Sequence, residues 1–105
     1  MNFEKFTTKS QEAIQKAIEL AQTNGQQAIE TAHLLKAILT VADAVSQFIV
    51  QKLNINIAQL NQSVDGLIRS LPKVSGGQPY LSNETNKVLQ TAQSLSEKAG
   101  NQFVS

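Results

Sequence analysis

The side chain best suited to proton chemistry in this sequence is its single histidine, His33, within the stretch TAHLLKAIL. Because the chain has one histidine and no cysteine, a multi-histidine or thiolate metal site is excluded. A general base also needs a nucleophile or a substrate within hydrogen-bonding distance. We therefore predict that His33 is a structural residue, packed or hydrogen-bonded in a helix.

Two other patterns could carry chemistry. The adjacent glycines Gly76 and Gly77 could cradle a phosphate, but no G-x-x-x-x-G-K-[ST] pattern occurs and no predicted strand precedes them. The carboxylates of Asp65 and Glu84 show no spacing that places them on one helix face, so we expect them to be solvated. The sequence thus predicts no catalytic residue, no metal site and no cofactor bound by this chain.

Composition narrows the class of protein. A chain of 105 residues and 11.4 kDa is one domain or part of one. Nine Lys and Arg residues against eight Asp and Glu are spread evenly and give a net charge of +1. Nucleic-acid binding needs clustered cations, so it is not favoured. The absence of cysteine suits a reducing compartment, and no stretch reaches secretory or membrane-spanning character. We expect a cytoplasmic location and neither nucleic acid nor membrane as a partner.

The spacing of apolar residues predicts an all-α fold with five helices. In the first helix, Thr8 and Gln11 fit a capping box and Gly25 supplies the residue that closes the helix. The second helix is apolar nearly all round and is expected to be central. Asp43 and Asn56 are candidate N-caps of the third and fourth. The predicted helices span residues 7–24, 31–41, 43–53, 56–71 and 82–100, with at most a short extended piece near 78–81.

The stretch LPKVSGGQPYLS holds both prolines and two of the five glycines, and the helical spacing resumes after it. When residues 81–104 are shifted back by 75 they match residues 6–29 in cap, core face and helix end, with Gly100 on Gly25 and Leu95 on Leu20. This indicates an internal repeat. We therefore expect the fifth helix to bury its Val88, Ala92 and Leu95 face against the first repeat, as the first helix buries Ala13, Ala17 and Leu20. We predict a first repeat at 1–71, an exposed and mobile linker at 72–80, and the start of a second repeat at 81–105. Two copies would need about 150 residues, so the second repeat is expected to be incomplete.

Four ordered motifs, FEKFTTKSQEAIQKA, GQQAIETAHLLKAIL, LPKVSGG-PYLS and KAGNQFVS, resemble the N-terminal domain of the Clp ATPases, and the LPKVSG linker resembles the ClpB-type disaggregase branch. The resemblance implies a double four-helix repeat with pseudo-two-fold symmetry. It also implies a module that receives unfolded or aggregated polypeptides and passes them to ATPase rings. ATP and Mg would then bind in ATPase modules outside this chain, and a co-chaperone system could act with the parent. The parent would be a hexamer and this chain alone a monomer.

By matching positions, the resemblance nominates a peptide groove formed by Thr7, Leu89, Thr91 and Asn101. Asn101 stands where the family usually has Asp, and Ala32 before His33 also departs from the family pattern. An alternative within the family is docking of a folded adaptor, as in ClpA- or ClpC-type protease partners. A hypothesis from another class is a small helical nucleic-acid binder, since short helix pairs can mimic helix-turn-helix spacing.

Overall fold

The computed structural model describes residues 3–4, 6–41, 44–74, 76–100 and 102–105, with the backbone alone described for 44–46. Five helices carry most of the chain, and the predicted all-α class is confirmed. The elements are α1 (Thr8–Thr23), β1 (Ala28–Ile29), α2 (Thr31–Thr40), α3 (Ala44–Lys52), α4 (Ile57–Ser70), β2 (Tyr80–Leu81) and α5 (Asn83–Lys98).

The N-cap of the first helix lies one residue earlier than predicted. Thr7, with extended backbone, is the N-cap, and its side chain accepts a hydrogen bond from the Ser10 amide at 3.3 Å. The prediction of Thr8 as the cap was wrong, because Thr8 is already the first helical residue. Gln11 likewise does not complete a capping box. The Nε2 atom of its side-chain amide instead donates to the Phe6 carbonyl oxygen at 2.9 Å.

The end of α1 follows the predicted glycine closure. Gly25 has a φ of 69°, in the left-handed region that favours glycine. Its amide donates to Gln22, and the next amide, of Gln26, donates to Ala21 at 2.8 Å. This is the Schellman arrangement, which satisfies carbonyls that the helix leaves without partners. The chain then reverses towards β1.

The core lies between α1 and α2. Ala13, Ala17 and Ala21 recur every four residues on the buried face of α1, and such small side chains let a second helix approach closely. The prediction that α2 is central was wrong in part, because Leu35 and Ile38 on its outer face are 39% and 43% exposed. The core cluster comprises Phe6, Ile14, Ala17, Ala21, Ile29, Leu34, Ala37, Leu81 and Val104.

The fourth helix also packs on α2. Asn56 is its N-cap as predicted, accepting from the Gln59 amide at 3.1 Å. The Lys36 ammonium of α2 lies 3.1 Å from the Asp65 carboxylate, which is 41% exposed, so Asp65 is solvated as expected and is also paired with a cation. The predicted Asp43 cap of α3 lies outside the described residues. On α3 itself, Phe48 is 58% exposed, so this helix buries little of its apolar face within the described chain.

Two short parallel pairings connect the two halves of the chain. Ile29 pairs with Leu81 in the β1–β2 ladder, and Phe6 forms a separate parallel bridge with Val104. The extended piece expected near 78–81 is therefore present as β2, while its partner β1 was not predicted. With a shift of 75, Phe6 corresponds to Leu81 and Val104 to Ile29, so each pairing maps onto the other. A contact of this kind is what a two-fold relation produces.

The same spacing of 75 relates α5 to α1. Ser82 caps α5 by accepting from the Thr85 amide at 3.2 Å, as Thr7 does from Ser10. Gly100, with a φ of 80°, follows α5 as Gly25 follows α1. The helices themselves, Thr8–Thr23 and Asn83–Lys98, are offset by 75 at both ends.

The packing of α5, in contrast, differs from its prediction. Val88 and Leu95 were expected to be buried with Ala92 against the first repeat, yet they are 46% and 61% exposed. The inward face of α5 is formed by Thr85, which is buried, and by Leu89 and Ala92, which pack against the core. Thr85 Oγ1 donates to the Ile29 carbonyl at 2.8 Å and thereby sets the rotation of the helix.

Candidate functional site

A shallow cleft of about 130 Å³ lies where α5 meets the segment that precedes α1. Its floor is apolar, since Phe6 and Leu81 are only 5% and 7% exposed. Amide side chains supply the polar part of its lining. The lining residues are Phe3, Phe6, Leu81, Asn86, Leu89, Gln90 and Gln93. We call this the α5 cleft.

A second cleft, of about 320 Å³, lies on the α1 side of Phe3. With the shift of 75, its residues Gln11, Ile14 and Gln15 correspond to Asn86, Leu89 and Gln90 of the α5 cleft. The two clefts are therefore equivalent across the approximate two-fold relation, and they share Phe3. The lining residues of this α1 cleft are Phe3, Thr8, Gln11, Glu12, Ile14 and Gln15.

Of the four residues nominated from the sequence, Leu89 lines the α5 cleft. Its side chain is half-buried, lining the cleft while also packing against the core. Thr7 adjoins the cleft through its neighbour Phe6. The Thr7 hydroxyl is already used as the α1 cap, and its amide donates to the Val104 carbonyl at 2.7 Å. Thr7 therefore supports the cleft floor.

The structure does not place Thr91 with them. It is exposed, and it follows Leu89 by two residues, which turns it about 200° around the helix axis. Asn101 lies outside the described residues. The roles assigned to Thr91 and Asn101 thus stay predictions from the resemblance.

Sequence reasoning missed Phe3, Phe6 and Gln11 as cleft residues. The available signal was a pair of phenylalanines three residues apart just before a helix cap. In the structure their rings meet edge to face, with centroids 5.9 Å apart and an interplanar angle of 79°. Gln11 Nε2 donates to both of their carbonyl oxygens, at 3.1 Å for Phe3 and 2.9 Å for Phe6.

His33, the candidate for proton chemistry, is fully buried at the start of α2. Its Nδ1 accepts from the Glu30 amide at 2.9 Å, so the proton resides on Nε2, which lies 2.6 Å from Gln26 Oε1. Gln26 Nε2 in turn donates to the Ile68 carbonyl of α4 at 2.6 Å. Burial lowers the pKa of His33, and the nearby Glu30 carboxylate opposes this effect. Such a buried, fully partnered imidazole is structural.

A third, larger apolar cavity of about 490 Å³ is lined by residues of α2, α3 and α4. Ile38, Ile49 and Ile57 contribute to it from three successive helices. Its lining is hydrocarbon with glutamine side chains and offers no group for acid–base or nucleophilic chemistry. The lining residues are Ile38, Leu39, Gln47, Ile49, Val50, Gln51 and Ile57.

Among the residues that the structure describes, no three His, Cys, Asp or Glu side chains lie close enough together to hold one metal ion. None of the helices in this part of the chain has the length and apolar character needed to cross a bilayer.

The helix caps, the glycine closures and the strand pairings repeat at a spacing of 75, so this is a helical domain built from two related halves. The sequence matches the Clp repeat (R) N-terminal domain over residues 5–105, and the chain belongs to this family.

Its relatives are Clp chaperones. The chain is 55% identical over 105 residues to the chaperone protein ClpB of Bacteroides thetaiotaomicron, and it spans 12% of that protein's length. Among solved structures it resembles the N-terminal domain of the ClpV1 ATPase of E. coli, with a TM-score of 0.89 and 18% identity over 97% of this chain and 63% of that one. The N-terminal domain of ClpD from Arabidopsis thaliana gives a TM-score of 0.69 and 22% identity, over 99% and 71%. The structural likenesses concern the fold.

Proposed function

We propose that this chain is the substrate-receiving module of a ClpB-type disaggregase, and that it binds exposed apolar segments of unfolded or aggregated polypeptides. The observation that carries the proposal is the α5 cleft, whose floor of Phe6 and Leu81 opens beside Leu89. Family membership and the similarity to a chaperone ClpB support it. Exposed apolar surface distinguishes non-native from native polypeptides, so a groove that buries it selects them.

The size of the α5 cleft sets the expected affinity. A cavity of about 130 Å³ accommodates about one large side chain, and burying one contributes roughly 1.5–3 kcal/mol. A micromolar complex needs about 8 kcal/mol, so the remainder must come from several weak contacts along the bound segment. We expect binding that is micromolar or weaker, which suits a module that must release its substrate.

The rest of the proposed machine lies outside this chain. ATP and Mg would bind in ATPase modules of the parent protein, which would be a cytoplasmic hexamer. Within the chain, we propose a first repeat at 1–71, a linker at 72–80 and the start of a second repeat at 81–105. The matching caps Thr7 and Ser82 and the matching glycines Gly25 and Gly100 support the repeat. Tyr80, within the proposed linker, already belongs to β2.

A charge placed in the cleft tests the proposal. Leu89→Glu puts a carboxylate beside the apolar floor and should abolish binding of an apolar extended peptide. Leu95→Glu is the matched control, because it makes the same change at a site on α5 that is 61% exposed and lines neither cleft. We would titrate a fluorescein-labelled apolar peptide and follow anisotropy, with thermal unfolding of each variant in parallel.

The outcomes separate the alternatives. Loss of peptide binding in folded Leu89→Glu, with binding retained in Leu95→Glu, supports the proposal. Unchanged affinity in folded Leu89→Glu assigns that residue to the core alone and rejects the α5 cleft as the groove. Leu89→Ala, a milder change, serves if the charged variant does not fold. If the chain bound a folded adaptor but no unfolded polypeptide, the adaptor-docking function would replace the one proposed.

A further inference from the structure

The side chain of Phe3 packs against the core and forms part of the wall of both the α5 cleft and the α1 cleft. Its ring contacts the Phe6 ring edge to face. Its carbonyl oxygen accepts two hydrogen bonds, from the Phe6 amide at 3.0 Å and from Gln11 Nε2 at 3.1 Å. The side chain is half-buried. An aromatic ring on the cleft floor and a carbonyl held by an amide side chain are contacts that an extended polypeptide could also make.

Phe3 also breaks the two-fold correspondence between the clefts. With the shift of 75 its counterpart is Gln78, which lines neither cleft. The amide clamps, by contrast, are conserved across the two halves, because Asn86 Nδ2 donates to the Leu81 carbonyl at 3.3 Å as Gln11 donates to Phe6. The single phenyl ring of Phe3 therefore lines two equivalent clefts, one on either side of it.

We propose that Phe3 occupies a subsite for one large apolar side chain, aromatic or long aliphatic, and that a bound polypeptide takes its place. The displacing residue would set its side chain against Phe6 and Leu89 and offer its carbonyl to Gln11. The segment before α1 thus competes with substrate. This inference rests on the proposed function and assigns its substrate chemistry.

Release of Phe3 leaves the helix start in place. The Thr7 cap on Ser10 and the Thr7 amide bond to Val104 do not involve Phe3. Gln11 Nε2 keeps its bond to the Phe6 carbonyl when the Phe3 carbonyl leaves. The subsite can therefore exchange its occupant without loss of the α1 cap.

Removal of the internal occupant gives the direct test. Phe3→Ser should lower the Kd for a labelled Gly/Ser dodecapeptide with one central Phe by about three- to tenfold, because the apparent affinity is reduced by the fraction of clefts already occupied. For the same peptide with Ser at its centre, Phe3→Ser and the unmodified chain should have the same Kd. Phe3→Leu, which keeps a large apolar occupant, should bind like the unmodified chain. Phe48→Ser, a matched change on exposed α3, should also leave the Kd unchanged.

Equal or weaker binding of the Phe peptide by folded Phe3→Ser overturns this inference, since Phe3 would then be a fixed part of the cleft wall. Binding by neither protein overturns the inference together with the proposed function. If Phe3→Ser does not fold, the unmodified chain labelled with 4-fluorophenylalanine decides. The ¹⁹F resonance of Phe3 is identified by its absence from the spectrum of Phe3→Leu. It should move on addition of the Phe peptide, while the resonance of Phe48 should not. A stationary Phe3 resonance refutes displacement.

Discussion

The Nε2 atom of His33 lies 2.6 Å from the Oε1 atom of Gln26, within a buried chain of hydrogen bonds that runs from the start of α2 to the end of α4. Gln26 Nε2 continues the chain to the Ile68 carbonyl at 2.6 Å. At the other side of the ring, Nδ1 accepts from the Glu30 amide. This set of partners requires the neutral imidazole, because protonation would place an N–H on Nδ1 facing the N–H of Glu30.

Stability should therefore fall in mild acid. Burial lowers the pKa of His33 in the folded chain, with Glu30 opposing, so the unfolded chain binds the extra proton first as the pH drops. The contribution of neutral His33 to the free energy of unfolding is complete above about pH 7. It is lost as the pH falls through about 6.5 towards the folded pKa, by up to about 1.4 kcal/mol per pH unit. Urea unfolding at about pH 7.5 and about pH 5.5 measures it.

His33→Gln is the control for this pH dependence, since it removes the only histidine. The variant should be less stable at neutral pH but nearly flat across the same window, above the usual range of carboxylate titration. An equal slope in His33→Gln and the unmodified chain would show that another group causes the loss.

The equivalent helix caps should have equivalent energies. Thr7→Ala and Ser82→Ala each leave an amide without its side-chain acceptor, at Ser10 and Thr85 respectively. Each should lower the free energy of unfolding by about 1 kcal/mol. Thr8→Ala, next to the first cap, should change it by less than about 0.5 kcal/mol. Chemical denaturation of the three variants provides the measurement, and a larger loss for Thr8→Ala than for Thr7→Ala would restore the cap expected from the sequence.

The linker should exchange its amide hydrogens unevenly. Gly76, Gly77 and Gln78 are exposed, whereas the Val74 amide donates to the Gly25 carbonyl at 2.9 Å. Hydrogen exchange should be slower at Val74 than at Gly76 by about tenfold, as one hydrogen bond implies. NMR-detected exchange resolves the positions, and slow exchange in α2 at Ala37 provides the internal reference. Strong protection at Gly76 and Gly77 would instead mark 72–80 as a packed element.

A second contact ties this linker to the first half of the chain. Gln27 Nε2 donates to the Gln78 carbonyl at 2.9 Å, and the Gln27 side chain lies so close to Gly77 that an added Cβ would collide with it. Gly77→Ala should therefore break the Gln27 contact. In a Gln27→Ala background, Gly77→Ala should be nearly neutral in its effect on stability.

The LPKVSGG motif was predictable as a linker, but its attachment to Gln27 was not, because a side chain 50 residues away supplies it.

Much of the fold followed from local rules. Asn56 as a cap and Gly25 as a helix closure are decided by nearest-neighbour geometry, which a sequence carries directly. The exposure of Val88 and Leu95 was not predictable in this way. Periodicity identifies the apolar side of α5, but a 16-residue helix can be rotated by tens of degrees without changing its pattern. The buried bond from Thr85 to the Ile29 carbonyl selects the rotation.

The α5 cleft likewise combines residues that the sequence could nominate with residues whose role depends on tertiary contacts. Leu89 could be nominated from the sequence through a resemblance, and the structure places it beside the α5 cleft. The phenylalanine pair was visible in the sequence, but the part that Phe3 and Gln11 take in the clefts was not. That part depends on the approach of α5 to a segment some 80 residues earlier. Thr91, nominated with Leu89, lies on another side of the helix because two residues turn it through about 200°.

The sequence by itself determined the helices, the Asn56 cap, the Gly25 closure, the family and the spacing of 75 that relates two halves. All of these depend on local backbone preferences and on residue identity. Only the tertiary structure decided that Phe6 pairs with Val104 as Leu81 pairs with Ile29, and that Phe3 lies between two equivalent clefts. Contacts between distant segments depend on how whole elements are rotated and stacked, and the packing of the complete core sets that rotation.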